Sequence, residues 1–353
     1  MSKNTNRADD MLIVSHKFKY RSRSTSIEYF CHLLDPEFER YNGSKAPIAE
    51  GLAVRLKKLS YGRSHGEWNS PYTSHSVMEE LWGLKQTLRR RPDVVFFPYA
   101  DFNYHLFSLA GPFIRSKRIL YSYFNIEELS NRFESLSHFR RSEVILVTST
   151  DVEEYLDFKF RGRGPSIVHF PLGVNTEYFL PAPKKAEGEK RVLISGSNRR
   201  DVDIMTALME YFGRHHPAVI FELVGIPRLK DFAAGRNNII CHNYLDEDAF
   251  VEPYLRAEIA ILPLKSAASS NSLNEYIASC LPFVYTDLPG MSELDLSRFG
   301  VGVPCGDVEG FIRETERLLF DDDRILRYKQ QCMTDRAALS WASKVEVFRR
   351  ALG

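Results

Sequence analysis

Ser269-Ser270-Asn271-Ser272-Leu273-Asn274-Glu275-Tyr276-Ile277-Ala278-Ser279-Cys280-Leu281-Pro282-Phe283-Val284 is the stretch on which the reading of this chain turns. It opens as a polar loop and becomes a helix near Asn271, with one carboxylate, Glu275, a turn inside. A break at Leu281-Pro282 leads into an apolar strand, Phe283-Val284-Tyr285-Thr286. A helix that begins in small polar residues presents free backbone N–H groups and the positive end of its dipole, which suits a phosphate. A nearby carboxylate can accept hydrogen bonds from a ribose diol. Phosphate and diol together describe a nucleotide.

Working outward, strands and helices alternate on both sides. Met11–Ser15, Asp93–Phe97, Ile119–Tyr123 and Val144–Thr148 read as buried strands, with helices expected over Ser26–Leu34 and Ser76–Arg91. Such alternation predicts a parallel, doubly wound sheet. Tyr41–Tyr72 is polar and reads as loop with one short helix. Ile167–Phe179 reads as a crossing between domains, and Pro181–Lys190 has linker composition. A second alternation follows, with strands at Arg191–Ser195, Ile220–Gly225, Ile239–Ile240, Ile259–Leu262 and Phe283–Thr286. A chain of 353 residues has room for two such domains.

Composition narrows the function. The net charge of +1 argues against nucleic acid as the main partner. Residues 1–172 nevertheless carry 25 Lys and Arg against 20 Asp and Glu, a net of +5, and the rest carry 22 against 26. A basic first half suits an anionic acceptor or a membrane surface, and chance unevenness gives the same figures. The five cysteines are scattered, with no CxxC pair, so neither a disulfide framework nor a zinc site follows. The first ten residues are polar, and no apolar run approaches the ~20 residues of a spanning helix. The expected location is cytoplasmic, with peripheral contact at the inner face of the membrane as the variant.

A second segment, Pro171-Leu172-Gly173-Val174-Asn175-Thr176-Glu177-Tyr178-Phe179, completes the argument. Paired with the stretch around Glu275, it resembles the nucleotide-sugar glycosyltransferases of the GT-B fold (glycosyl transferases group 1), whose hinge reads Gly-Val-Asp-x-x-x-Phe. In that family the donor segment runs Glu, seven residues, Glu, then Ala-x-Gly-x-Pro-Val-Val. Glu275, Ala278 and Pro282 to Val284 match it, while Ala267 stands at the first glutamate, Cys280 at the glycine and Asn175 at the hinge aspartate. The resemblance implies two Rossmann-like domains facing a cleft. Residues 1–172 would bind acceptor, 173–335 would bind nucleotide sugar, and a helix in 336–353 would pack back on the first domain. Donor contacts are then expected at Ser270, Asn271, Ser272, Leu273 and Glu275. The loop Gly196, Ser197, Arg199 and Arg200 after the strand at 191–195 joins them, as does Tyr244, with His242 as its alternative, beside the base.

As the leaving diphosphate gains charge, a fixed cation lowers the barrier. Arg200 is placed for this by the resemblance, Arg199 next, and either also reads as a solvated loop arginine. No metal is implied, and no cofactor beyond the donor, a UDP-sugar. His16 lies in Val14-Ser15-His16-Lys17-Phe18-Lys19-Tyr20-Arg21-Ser22, similar to a loop of xanthan-type glucuronosyltransferases, and is placed to touch sugar. Lys17, Lys19, Arg21 and Arg23 around it suit an anionic or lipid-pyrophosphate acceptor, or form a solvated basic loop. An inverting enzyme needs a base on the first domain. Glu127 is the candidate, then Glu128 and Asp101, although paired Glu at a helix start also simply favour its dipole. Transfer to a hydroxyl of a glycan, lipid-linked or small-molecule acceptor in bacterial exopolysaccharide or envelope synthesis is the expected function. A nucleotide-sugar epimerase and a non-catalytic binding subunit are the alternatives.

Overall fold

The computed structural model of the protein describes residues 10–15, 26–43, 50–55, 72–181, 190–242, 244–266, 270–289, 291 and 294–352. The expectations placed on His16, Lys17, Lys19, Arg21, Arg23, Ala267 and the linker at 182–189 lie outside the described residues. The chain divides into two compact units. Met1–Arg21, Cys31–Pro171 and Arg349–Gly353 form the first, and Ser22–Phe30 with Leu172–Phe348 the second.

In the first unit, strands β1 (Met11–Ile13), β2 (Val94–Phe97), β3 (Lys117–Ser122), β4 (Val144–Val147) and β5 (Ser166–His169) pair in parallel. Successive side chains of a strand point to opposite faces. Leu12, Val95, Phe97, Leu120, Ile145 and Val147 therefore share one core. The helices that contribute to that core after α1 (Ser26–Leu34) include α2 (Ser74–Arg90) with Val77, α3 (His105–Ala110) with Phe107, α4 (Ile126–Arg132) with Leu129, and α5 (Thr150–Phe160) with Leu156. The sheet order β1-β2-β3-β4-β5 is the order of the chain. Parallel pairing is thus as expected, but this sheet does not reverse about a central strand. Crossovers of one hand on one face add each strand to the same side.

The second unit has a six-stranded parallel sheet of β6 (Arg191–Ser195), β7 (Ile220–Val224), β8 (Ile239–His242), β9 (Ile259–Leu262), β10 (Phe283–Asp287) and β11 (Gly300–Pro304). Their order is β11-β10-β9-β6-β7-β8. Val192, Ile194, Phe221, Leu223, Ile259 and Ile261 face one core, while Leu193, Val224, Ala260, Leu262 and Phe283 face the other. Burial on both faces explains why these strands read as unbroken apolar runs. Helices α6 (Val202–His215) and α9 (Val308–Leu319) cover the first face; α7 (Glu252–Arg256) and α8 (Asn271–Ala278) cover the second. The chain winds outward from β6 in both directions, so its course reverses between β6 and β9. In open α/β sheets ligands collect outside the carboxyl ends of the strands at such a reversal.

The Gly173 segment is fixed by the end of the chain. Two further helices, α10 (Asp322–Asp335) and α11 (Trp341–Leu352), precede the terminus. Val174 N–H donates to Leu339 O at 2.9 Å, and Trp341 N–H donates to Val174 O at 3.0 Å. A Cβ on Gly173 would fall 2.5 Å from the fully buried Trp341 ring, so only glycine fits there. Asn175, the residue in place of aspartate, caps the next turn: its Oδ1 accepts from Glu177 N at 3.0 Å and Tyr178 N at 3.2 Å.

Candidate functional site at the sheet reversal

Two segments meet at the reversal: the loop after β6 and the start of α8. β6 ends at Ser195, and Gly196 follows at φ +76°, a left-handed conformation that glycine adopts without cost. A Cβ there would also sit 3.2 Å from both Arg200 Nη2 and Ser272 Oγ. The chain then turns back so that Arg200 returns beneath the loop, 6% exposed. Its Nε and Nη2 donate to Ser195 O at 3.1 and 2.6 Å, Nη1 to Asn198 O at 3.1 Å, and Nη2 to Ser272 Oγ at 3.0 Å. Four of the five guanidinium N–H groups are thus engaged. Arg200 joins the carboxyl end of β6 to the first turn of α8, and burial lowers its affinity for the proton.

Helix α8 is buried from Ser272 to Ala278, which positions its side chains tightly. Its N-cap, Ser270, makes no side-chain cap bond, and its first turn holds no acidic residue. No acidic side chain of that turn therefore opposes an anion at those backbone N–H groups. Asn271 Nδ2 donates to Ser26 Oγ at 3.3 Å and Asn274 Nδ2 to Leu172 O at 2.9 Å. Tyr276 Oη takes Ser195 N–H at 3.0 Å and lies 2.9 Å from Ser195 Oγ. Glu275, 7% exposed, accepts a 2.5 Å bond from Tyr254 Oη of α7 on its Oε2. Burial raises the Glu275 carboxyl to about 7, against the pull of the Tyr254 hydrogen bond and the Arg200 charge.

Arg200, Ser270 to Leu273 and Glu275 thus gather on one loop–helix junction, with Gly196 and Ser197 in the same loop. Arg199 stands in the loop at φ +57°. Tyr244 is exposed beyond β8. His242 Nε2 lies 2.9 Å from Oε1 of the fully buried Glu222, which also accepts from Arg256 at 2.8 Å and Arg191 at 3.4 Å. In the first unit Glu127 is exposed in the first turn of α4, and Glu128 pairs with Arg132 at 3.6 Å. Asp101 is fully buried: it accepts from Ser122 Oγ at 2.6 Å, from Phe124 N at 3.2 Å and from Tyr123 N. Burial raises it to about 7. Asp101 thereby ties the loop after β2 to the carboxyl end of β3. Tyr254, Tyr276 and Asn274 were not singled out in the sequence. Tyr254 lies 21 residues before Glu275, on another helix, and no periodicity links the two.

Residues 189–321 match the family model for glycosyl transferases group 1. Along the whole chain, α,α-trehalose 6-phosphate synthase from Burkholderia multivorans superposes with a TM-score of 0.72 at 13% identity, covering 98% of each chain. The chain has the GT-B fold. Two further GT-B structures are similar. One is Anabaena HepE in complex with UDP and glucose (TM-score 0.68, 9% identity, 98% of this chain and 99% of that one). The other is the pneumococcal O-GlcNAc transferase GtfA in complex with UDP and GlcNAc (TM-score 0.59, 11% identity, 80% of this chain). The present GT-B chain spans 60% of the GtfA chain. No curated protein sequence matches it.

Proposed function

We propose that this GT-B chain transfers a sugar from a UDP-sugar to a hydroxyl of a glycan, lipid-linked or small-molecule acceptor, in bacterial exopolysaccharide or envelope glycan synthesis. The observation that carries the reading is the junction of Glu275, Arg200 and the uncapped start of α8 at the sheet reversal, inside the segment that matches the family. The first-turn N–H groups of α8 take the diphosphate oxygens. Oε1 of Glu275 accepts from the ribose diol while Tyr254 occupies Oε2. As the glycosidic bond breaks, negative charge grows on the departing diphosphate, and the helix dipole with the Arg200 cation offsets it in a partly dehydrated site. Binding of UDP in complexes of similarly folded proteins supports the choice of nucleotide.

The acceptor is taken on the first unit. If the product anomer is inverted, a base must deprotonate the acceptor hydroxyl, and Glu127 is the residue assigned to it. Retention would remove that assignment. The decisive experiment is a thermal-shift series with UDP, GDP, ADP and TDP, followed by sugar transfer assays. UDP alone should raise the melting temperature, because a ligand stabilises the state that binds it. Glu275→Gln should remove most of that shift. A chain that none of the four stabilises, or whose Glu275→Gln variant responds to UDP like the parent, does not use this site.

A further inference from the structure

One face of the first unit is built for something other than the donor. At the edge where β3, β4 and β5 begin, segments 113–116, 134–141 and 157–165 expose Arg115, Arg140, Arg141, Lys159, Arg161 and Arg163. None of these six is in an ion pair among the described residues, whereas nearby Arg118 is held by Glu143. The acidic residues on the same segments are Glu134 and Asp157. Hydrogen bonds tie the second segment to the third, and the pairing of β3 with β4 sets the first beside the second. Arg140 Nη2 donates to Arg163 O at 3.0 Å and Phe160 O at 3.5 Å, and Arg141 Nη1 donates to Ser108 O, near the end of α3, at 3.5 Å. The two most exposed large apolar side chains described lie on these segments: Phe113 at 85% and Phe158 at 79%. A cavity of about 200 Å³ opens between the second and third segments, lined by Glu134, Ser135, Ser137, Arg140, Tyr155 and Lys159.

We infer that this face docks the chain on an anionic lipid bilayer. Crowded cations without counter-ions repel one another, and a surface of lipid phosphates relieves that repulsion. Exposed phenylalanines are unfavourable in water and favourable at the boundary of headgroups and acyl chains. A protein interface fits less well, since its centre is depleted of charged residues and Lys is rare there. The inference is independent of the donor chemistry at α8.

Co-sedimentation of the full chain with vesicles tests it. Vesicles of phosphatidylcholine with roughly one-third phosphatidylglycerol should retain the protein at least about tenfold better than phosphatidylcholine alone, and raising NaCl from about 0.1 to 1 M should release it. The variants Arg161→Glu with Arg163→Glu, and Phe113→Ser with Phe158→Ser, change exposed residues only. Each should lower retention severalfold while melting temperature and the UDP response stay as in the parent. Equal retention on neutral and anionic vesicles overturns the inference, as does retention of the charge-reversed variant at parental level. Self-association that the same variants abolish, without vesicle binding, assigns the face to a second copy of the chain and overturns it too.

Discussion

At the residue scale, Glu275 and Cys280 have the most to say. Tyr254 occupies one oxygen of Glu275, and Arg200, Tyr276 and Tyr178 are the other ionisable groups around that carboxylate among the described residues. With its carboxyl near 7, Glu275 is partly protonated at neutral pH and then a poorer acceptor for a diol. UDP affinity should therefore rise with pH between about 6 and 8, by up to roughly tenfold per unit on the acid limb. Tyr254→Phe removes a bond that favours the ionised form, so isothermal titration should show that limb displaced to higher pH. Glu275→Gln should have no such limb. Loss of the Glu275 effect points to a different diol partner; an unmoved limb in Tyr254→Phe alone means that the tyrosine only packs. Cys280 is the departure from the family glycine, and it sits at φ +51°, where glycine is favoured. Its thiol is 3% exposed, so the side chain recovers by packing part of what the backbone loses. Cys280→Gly should change stability by less than about 1 kcal/mol, whereas Cys280→Val, β-branched at positive φ, should lose roughly 2 kcal/mol or more in urea unfolding.

At the scale of elements, α8 shows how a site is held. Its C-terminus closes with Leu281 N–H on Tyr276 O at 2.9 Å and Cys280 N–H on Ile277 O at 3.1 Å, the bonds of a Schellman turn. Arg336 then donates to Ala278 O at 2.8 Å, to Phe179 O at 2.8 Å and to Thr176 O, binding the end of α8 to the segment after Gly173. Arg336→Ala leaves three carbonyls short of a charged donor and should cost roughly 2–3 kcal/mol. Gly173→Ala, with its Cβ driven into Trp341, should cost about as much. Melting of the two variants against the parent checks both. Arg200 belongs to the same scale: Arg200→Ala should lower stability as well as turnover, because Ser195 O and Ser272 lose their donor. Element boundaries were legible where apolar runs were long, as at β6, β7 and β10. Ile167–His169 reads in the sequence as part of a crossing, yet it belongs to β5, and Gly300–Pro304 was not anticipated as β11. Both are edge strands whose burial is partial or interrupted, so their apolar signal is weak.

For the whole molecule, buried ionisable groups of the first unit set a pH response. Burial raises Glu80 and Asp101 to about 7, lowers His105 to about 3 and lowers His138 as well. Each raised carboxyl stabilises the fold fully below its unfolded value, 4.5 for Glu80 and 3.8 for Asp101, and loses that contribution as pH rises from there through about 7. Each lowered histidine contributes above its unfolded value near 6.5 and loses the contribution as pH falls. The two pairs oppose each other below about 6.5; above it only the carboxyl loss remains. Stability of this unit should be nearly level from pH 5 to 6.5 and then fall by roughly 1–2 kcal/mol towards 7.5. Urea unfolding across that range, compared with Glu80→Gln, is the measurement.

Alternation of apolar runs and turn signals sufficed to specify two parallel α/β sheets, and the family resemblance drew attention to Glu275 and Gly173, because periodicity, turn chemistry and short motifs are local properties. Strand order, the reversal beside β6, the partnership of Tyr254 with Glu275 and the inward return of Arg200 were settled only in three dimensions. They depend on which distant segments share a face, and the free energy of those contacts is invisible until the chain has closed its loops.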